Sequence, residues 1–232
     1  MALPPDTGET FLREVDENLR RDQMSGLARK YGGWVIAAVV LLLAAAGGYL
    51  FWQDQQRKAA ATDSEALSQI YTDIGTGKVD KVGPPLDALA ADGTDAVRAT
   101  ALFTSAAVAI EKNDRPTAIA KFNEVANNSD LAQPYRDLAL IRATSLEFDT
   151  IKPEQVIERM APLTKPGSPW FGSAGELTAM AMVKQGKKNE AGRLFAAIAA
   201  DRQVPETIRA RAVQIAGSLG VDASASMATM SQ

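Results

Sequence analysis

The stretch from Trp34 to Trp52, W-V-I-A-A-V-V-L-L-L-A-A-A-G-G-Y-L-F-W, constrains this chain more than any other feature. No charged residue lies between Lys30 and Asp54. A helix rises about 1.5 Å per residue, so roughly 20 apolar residues cross a hydrocarbon layer of about 30 Å. Trp34 at one end, and Tyr49 and Trp52 at the other, suit the two interfacial belts of a bilayer. A core helix of a soluble protein would need neighbours on every side and would give no reason for Trp at both ends. A cleaved signal peptide is the other alternative, with Ala44-Ala45-Ala46 as its processing site. Signal peptides, however, pair a short basic region with an apolar run of about 7–15 residues. Here about 30 residues, six of them acidic, precede a longer run. The pattern predicts an uncleaved anchor over 32–53. Arg20, Arg21, Arg29 and Lys30 outnumber Arg57 and Lys58, which puts the N-terminal side in the cytoplasm. The remainder would then stand in the periplasm of a Gram-negative cell.

Residues 1–30 form a leader that becomes periodic after a loose start. Phe11, Leu12, Val15 and Leu19 share one helical face. Glu9–Arg13, Asp16–Arg20 and Glu17–Arg21 are acid-to-base pairs four residues apart, each supporting a helix by about 0.2–0.5 kcal/mol. Such a short amphipathic helix is either a solvated juxtamembrane segment or a docking helix. In the second case Glu14, Asp16, Glu17, Arg20 and Arg21 would meet the partner.

Beyond the span the chain reads as all-α. Ala is frequent, no stretch alternates with period two, and Pro or Gly recurs every 15–20 residues or so. One unit stands out: Gly186, then Ala191, Phe195 and Ile198, then Pro205. A turn glycine followed by a small, a large and an apolar residue at i, i+4 and i+7 is the tetratricopeptide pattern, in which Ala lets two antiparallel helices approach and Phe fills the groove between them. Ala118, Phe122 and Val125 repeat it after Pro116, and Val156, Met160 and Leu163 repeat it less well after Pro153. The steps from Ala118 to Val156 and on to Ala191 are 38 and 35 residues, close to a period of about 34. A weaker unit holds Leu67, Ile70 and Ile74, then Leu86, Leu89 and Ala90.

The expected architecture is therefore a single transmembrane helix followed by a tetratricopeptide-like α-solenoid over 58–219. It would have about four helical hairpins, at 60–92, 95–128, 133–164 and 168–201. A capping helix from Pro205 to Leu219 would follow, with Arg209 and Arg211 outward and Ile208, Val213 and Ile215 inward. Residues 220–232, small and polar, read as a disordered tail.

Composition narrows the function. With no Cys and no His, thiol nucleophiles, zinc sites and imidazole acid–base chemistry are excluded. A net charge of −3 disfavours nucleic-acid binding. The acidic clusters, Asp201 with Glu206 and Glu14 with Asp16 and Glu17, lack a pocket or metal motif and read as solvated helix faces rather than catalytic pairs. No enzyme, cofactor, metal or small-molecule substrate is expected. A stack of helix pairs offers a groove lined by the first helix of each pair, here roughly Val97–Glu111, Tyr135–Phe148 and Trp170–Gln185. Trp170 and Phe171 are the aromatics that would anchor a partner there, unless they staple one repeat to the next.

Three stretches carry a resemblance: Phe11-Leu12-Arg13-Glu14-Val15-Asp16-Glu17-Asn18-Leu19-Arg20-Arg21-Asp22, then Tyr31-Gly32, then Gly47-Gly48-Tyr49-Leu50-Phe51-Trp52-Gln53. They resemble the YfgM-like family in its alphaproteobacterial form, closely over about 11–60 and loosely to about 219, although Asn18 stands where many relatives carry Glu. The resemblance implies a single-span inner-membrane protein with a periplasmic tetratricopeptide-like domain, ancillary to the SecYEG translocon. It further implies association with the periplasmic chaperone PpiD and assistance in handing over secreted or membrane proteins. A scaffold for envelope or cell-division assembly is the alternative function for an anchored helical array of this kind.

Overall fold

The computed structural model describes the backbone of residues 7–224 and the side chains of residues 30, 31, 33, 34 and 36–224. Among them are nine α-helices and no strand. They are α1 (Thr7–Gly75), α2 (Gly83–Asp92), α3 (Asp95–Glu111), α4 (Arg115–Asn127), α5 (Gln133–Glu147), α6 (Pro153–Met160), α7 (Phe171–Lys184), α8 (Lys188–Ala200) and α9 (Glu206–Ser218). The chain divides into two compact units, Met1–Ala59 and Ala60–Gln232.

In the first unit α1 runs without a break through leader and apolar segment. It continues to Gly75, where the sequence suggested three separate pieces. The reason is local: no proline occurs between Pro5 and Pro84, and Asp54 and Lys58 pair at 2.8 Å across the stretch that follows the apolar run. The most apolar window of this helix is long and apolar enough to cross a membrane, and none of it is buried.

In the second unit four helices end in one motif. After α1, α3, α7 and α9 the chain places Gly77, Asn113, Gly186 and Gly220 at positive φ. In each case the next N–H donates to the carbonyl five residues back: Lys78 to Asp73, Asp114 to Ala109, Lys187 to Met182, Val221 to Ala216, at 2.8–2.9 Å. This is the Schellman C-cap, and it occupies the left-handed position with Gly or, at 113, with Asn. Helix α5 ends otherwise. Lys184 of α7 donates to the Phe148 carbonyl at 3.0 Å and lies over its ring, so a cation from the next pair satisfies the helix end in place of a glycine turn. The second helices α2, α4 and α6 start on prolines in the first turn, and two of them add a side-chain cap. Asp114 accepts from the Thr117 N–H at 3.2 Å, and Gln155 from the Lys152 N–H at 3.1 Å.

The cores follow the repeat. Ala118, Phe122 and Val125 are buried in a cluster with Ala99, Leu102, Ala106, Ala139 and Ala143. Val156, Met160 and Leu163 pack with Ile141, Ala174 and Ala181. Ala191, Phe195 and Ile198 pack with Phe171, Val204, Ala212, Val213 and Ala216. Ile70, Val82, Leu86, Leu89 and Ala101 form the first cluster. Small residues let backbones come close. A Cβ on Gly175 would stand 2.8 Å from the Ile198 side chain, and one on Gly172 2.7 Å from that of Val204.

Two expectations are corrected. Arg209 does not point outward: it is 7% exposed, and its Nε–H donates to the Ala199 carbonyl at 3.1 Å, satisfying the end of α8. Arg98 donates in the same way to Ala90 at the end of α2. The expected tail beginning at 220 is still packed at its start. Val221 covers Gly192 and Ala223 is buried in the last cluster, because the Gly220 turn folds the chain back onto α8 and α9. Residues 225–232 lie outside the described residues.

Candidate functional site

The first helices of successive pairs turn equivalent faces to one side. On α5 and the turn that ends it that face is Leu138, Ile141, Arg142, Ser145, Phe148 and Asp149, and on α7 it is Ser173, Glu176, Leu177 and Met180, with Trp170 just before the helix. Steps of three and four residues keep each set in one stripe. Arg211 and Ile215 of α9 and Phe195 of α8 complete the wall of an open cavity of about 660 Å³. A second hollow, of about 480 Å³, lies on α1 and α3, between Tyr71, Ile74, Phe103, Thr104, Val108 and Glu111.

Polar side chains tie these faces together at the repeat spacing. Tyr71 Oη and Thr104 Oγ1, 33 residues apart, lie 3.4 Å from one another. Lys184 Nζ donates to Asp149 Oδ1 at 2.9 Å across 35 residues. Arg211 donates twice to the Glu176 carboxylate, at 2.7 and 2.6 Å, again across 35 residues. The bidentate fork fixes α9 against α7. It also raises the Arg211 pKa, through the hydrogen bond and charge of Glu176. The hydrogen bond and charge of Lys184 hold the Asp149 carboxyl below its ordinary value, and Lys112 does the same for Asp80 from 2.7 Å.

A depressed carboxyl contributes its ion pair fully above its unfolded pKa, about 3.9, and loses it as pH falls through the lower folded value. Carboxyl-carbon NMR of Asp-labelled protein is therefore expected to show Asp149 titrating below about 3.9, and Lys184→Met to return it upward. An unshifted Asp149 in the wild-type chain would break the α5–α7 link drawn here.

The sequence-predicted aromatics separate. Trp170 is half-buried, packs against the α5–α6–α7 core and lines the cavity. Phe171 is 3% exposed and lies inside the last core cluster. The two are neighbours in sequence but α7 begins between them, so their side chains diverge. Trp34, Tyr49 and Trp52 are exposed on α1, with the rings of Tyr49 and Trp52 6.3 Å apart. The side chains of Glu14, Asp16, Glu17, Arg20 and Arg21 lie outside the described residues. Arg142, Glu176 and Met180 were not singled out from the sequence, and Arg211 was named only as an outward residue of the capping helix. Setting α5 against α7 at a 35-residue offset would have found them, since Glu176 then falls beside Ile141, Leu177 beside Arg142 and Met180 beside Ser145.

The family model of the tetratricopeptide repeat-like domain matches residues 28–218. The chain belongs to this family. The match takes in the apolar segment of α1 as well as α2 to α9. No curated protein and no solved structure gives a significant match. A domain of this family is a protein-interaction module.

Proposed function

We propose that this protein is a single-pass inner-membrane protein that binds polypeptide in the periplasm as an ancillary partner of the SecYEG translocon. In this reading the N-terminus lies in the cytoplasm, and Trp34, Tyr49 and Trp52 sit at the membrane interfaces. Residues 58–219 form a solenoid of four helical hairpins with α9 as its cap. The groove receives segments of secreted or membrane proteins in concert with the chaperone PpiD, without catalysis. The leader residues Glu14, Asp16, Glu17, Arg20 and Arg21 meet a partner on the cytoplasmic side.

The observation that carries the binding role is the open cavity on α5, α7 and the capping helix α9, with Trp170 on its wall and charged pairs at its rim. Aromatic side chains held in such a setting contribute disproportionately to protein–protein affinity. The translocon assignment rests on the leader and span, whose residues resemble the YfgM-like family.

A pull-down from membranes in mild detergent tests it, using the full chain, a variant with the span replaced by an unrelated one, and Trp170→Ala. Recovery of translocon subunits and PpiD with the full chain is the expected result. Loss on span replacement would place the translocon contact in the bilayer, and loss of clients alone in Trp170→Ala would place theirs in the groove. Recovery of division or envelope-assembly proteins instead would move the function to a scaffold, and recovery of nothing would remove the partner role.

A further inference from the structure

We infer that the cavity on α5, α7 and α9 takes an extended polypeptide segment in which a bulky apolar side chain is closely followed by an acidic one, the acid pairing with Arg142. The inference rests on the protein-binding reading and names what the groove selects.

Charge carries it. Two carboxylates line the cavity, Asp149 and Glu176, and each is already held by a cation, Lys184 and Arg211 respectively. Arg142 lines the same cavity, is exposed, and has no ion-pair or hydrogen-bond partner among the described residues. With the other charges matched, the wall carries one uncompensated positive charge. Arg142 sits next to Ile141 and faces a space also bounded by Trp170, Leu177, Phe195 and Ile215. A guanidinium beside an apolar wall is a specific receptor for a carboxylate, since the fork of N–H groups matches both oxygens and the poorly polarisable wall screens the pair less than open water does. The cavity, at about 660 Å³, is within the range of roughly 300–1,000 Å³ typical of ligand sites.

Two further features favour a polypeptide over an anionic amphiphile. The hydroxyls of Ser145 and Ser173 line the cavity and have no partner among the described residues. An extended backbone brings an N–H and a C=O per residue that need such groups, whereas a hydrocarbon chain brings none. Arg142 is also singular along the groove. The positions equivalent to it on the neighbouring first helices hold Thr104 and Leu177, so one cation fixes the register of the bound segment.

The test uses the full chain in nanodiscs of zwitterionic lipid and fluorescein-labelled peptides blocked at both ends. Each peptide carries Phe-Leu in a Gly/Ser background, followed by Asp, Asn or Lys. Anisotropy is expected to show the Asp peptide binding about 3–10-fold more tightly than the Asn peptide, and the Lys peptide most weakly, as one partly solvated charge-assisted bond allows. Arg142→Gln should bring Asp and Asn level. Arg142→Glu should make the Lys peptide the tightest. Met180→Glu, which puts a charge on the opposite wall, should weaken the Asp and Asn peptides. Circular dichroism of each variant confirms that the exposed substitutions leave the fold intact. Discrimination that persists in Arg142→Gln, binding untouched by Met180→Glu, or no binding of any peptide at millimolar concentration overturns the inference. So does displacement of the Asp peptide by micromolar hexyl phosphate, which would make the ligand an amphiphile. Peptides that fail while the pull-down still recovers partners would leave the protein-binding reading standing and remove only this selectivity.

Discussion

Phe195→Ala is expected to destabilise the helical domain by about 3–5 kcal/mol, the range for truncating a fully buried aromatic. Phe195 has no exposed surface and is the largest of the fully buried side chains. Around it stand Ala179, Ala191, Ala199, Ala212 and Ala216. These residues are already as small as a close helix contact permits, and Gly172 and Gly175 bring α7 nearer still. Alanine side chains have no rotamers with which to fill a vacated ring, so the site collapses poorly and the cavity term stays large. For a domain of this size, about 2–4 °C of melting temperature per kcal/mol makes the expected drop roughly 6–20 °C. The damage should also be uneven, because each pair of helices in a repeat array leans on its neighbours alone. Hydrogen exchange should therefore accelerate most in α7, α8 and α9 and least in α3 and α4. A melting temperature within about 2 °C of wild type would show that α8 is not seated on Phe195 as described.

The pattern that makes Phe195 central was legible in the sequence. Ala191, Phe195 and Ile198 lie within eight residues of one helix, so their shared face depends on helical periodicity alone. The same holds for Ala118, Phe122 and Val125. Features needing the register between helices were not legible. Arg209 reads as a surface charge until α8 is placed so that the Ala199 carbonyl faces it. Trp170 and Phe171 look equivalent until the start of α7 is fixed between them. Arg142, Glu176 and Arg211 are unremarkable charges on amphipathic helices. They gain meaning when a 35-residue offset pairs Glu176 with Arg211, pairs Asp149 with Lys184 and leaves Arg142 alone. The long continuity of α1 was missed for another reason. Composition divides the chain into leader, span and first hairpin, yet no proline between Pro5 and Pro84 interrupts the helix.

Ala191→Trp is the complementary perturbation, adding volume where Phe195→Ala removes it. Ala191 is completely buried at the small position of its repeat, in the cluster shared by α7, α8 and α9. Inserting even a few methylenes into a packed core costs about 1–3 kcal/mol, and an indole is far larger, so about 3 kcal/mol is expected as a lower bound. Relief by movement is limited on this helix. Ala191 is followed by Gly192, whose missing side chain leaves room for Val221, with a Cβ there falling 2.6 Å from the Val221 side chain. The helix is thus close to neighbours at two successive positions. Ala197 on the same helix is exposed and supplies the control. Ala197→Trp should change stability by no more than about 0.5 kcal/mol, since it meets solvent rather than a neighbouring helix. Thermal unfolding of both variants separates the effect of position from the effect of a tryptophan as such. The burial pattern predicts a large loss for Ala191→Trp and almost none for Ala197→Trp. Equal losses would mean that α8 tolerates no bulk on either face, and two neutral results would mean that Ala191 is not at a helix contact. Because α7 carries Met180 on the groove side, follows directly on Trp170 and packs in the same cluster through Phe171, an α8 displaced by the indole should also shift the groove wall. Ala191→Trp is accordingly expected to reduce client recovery in the pull-down even at temperatures where circular dichroism still reports a folded helical domain.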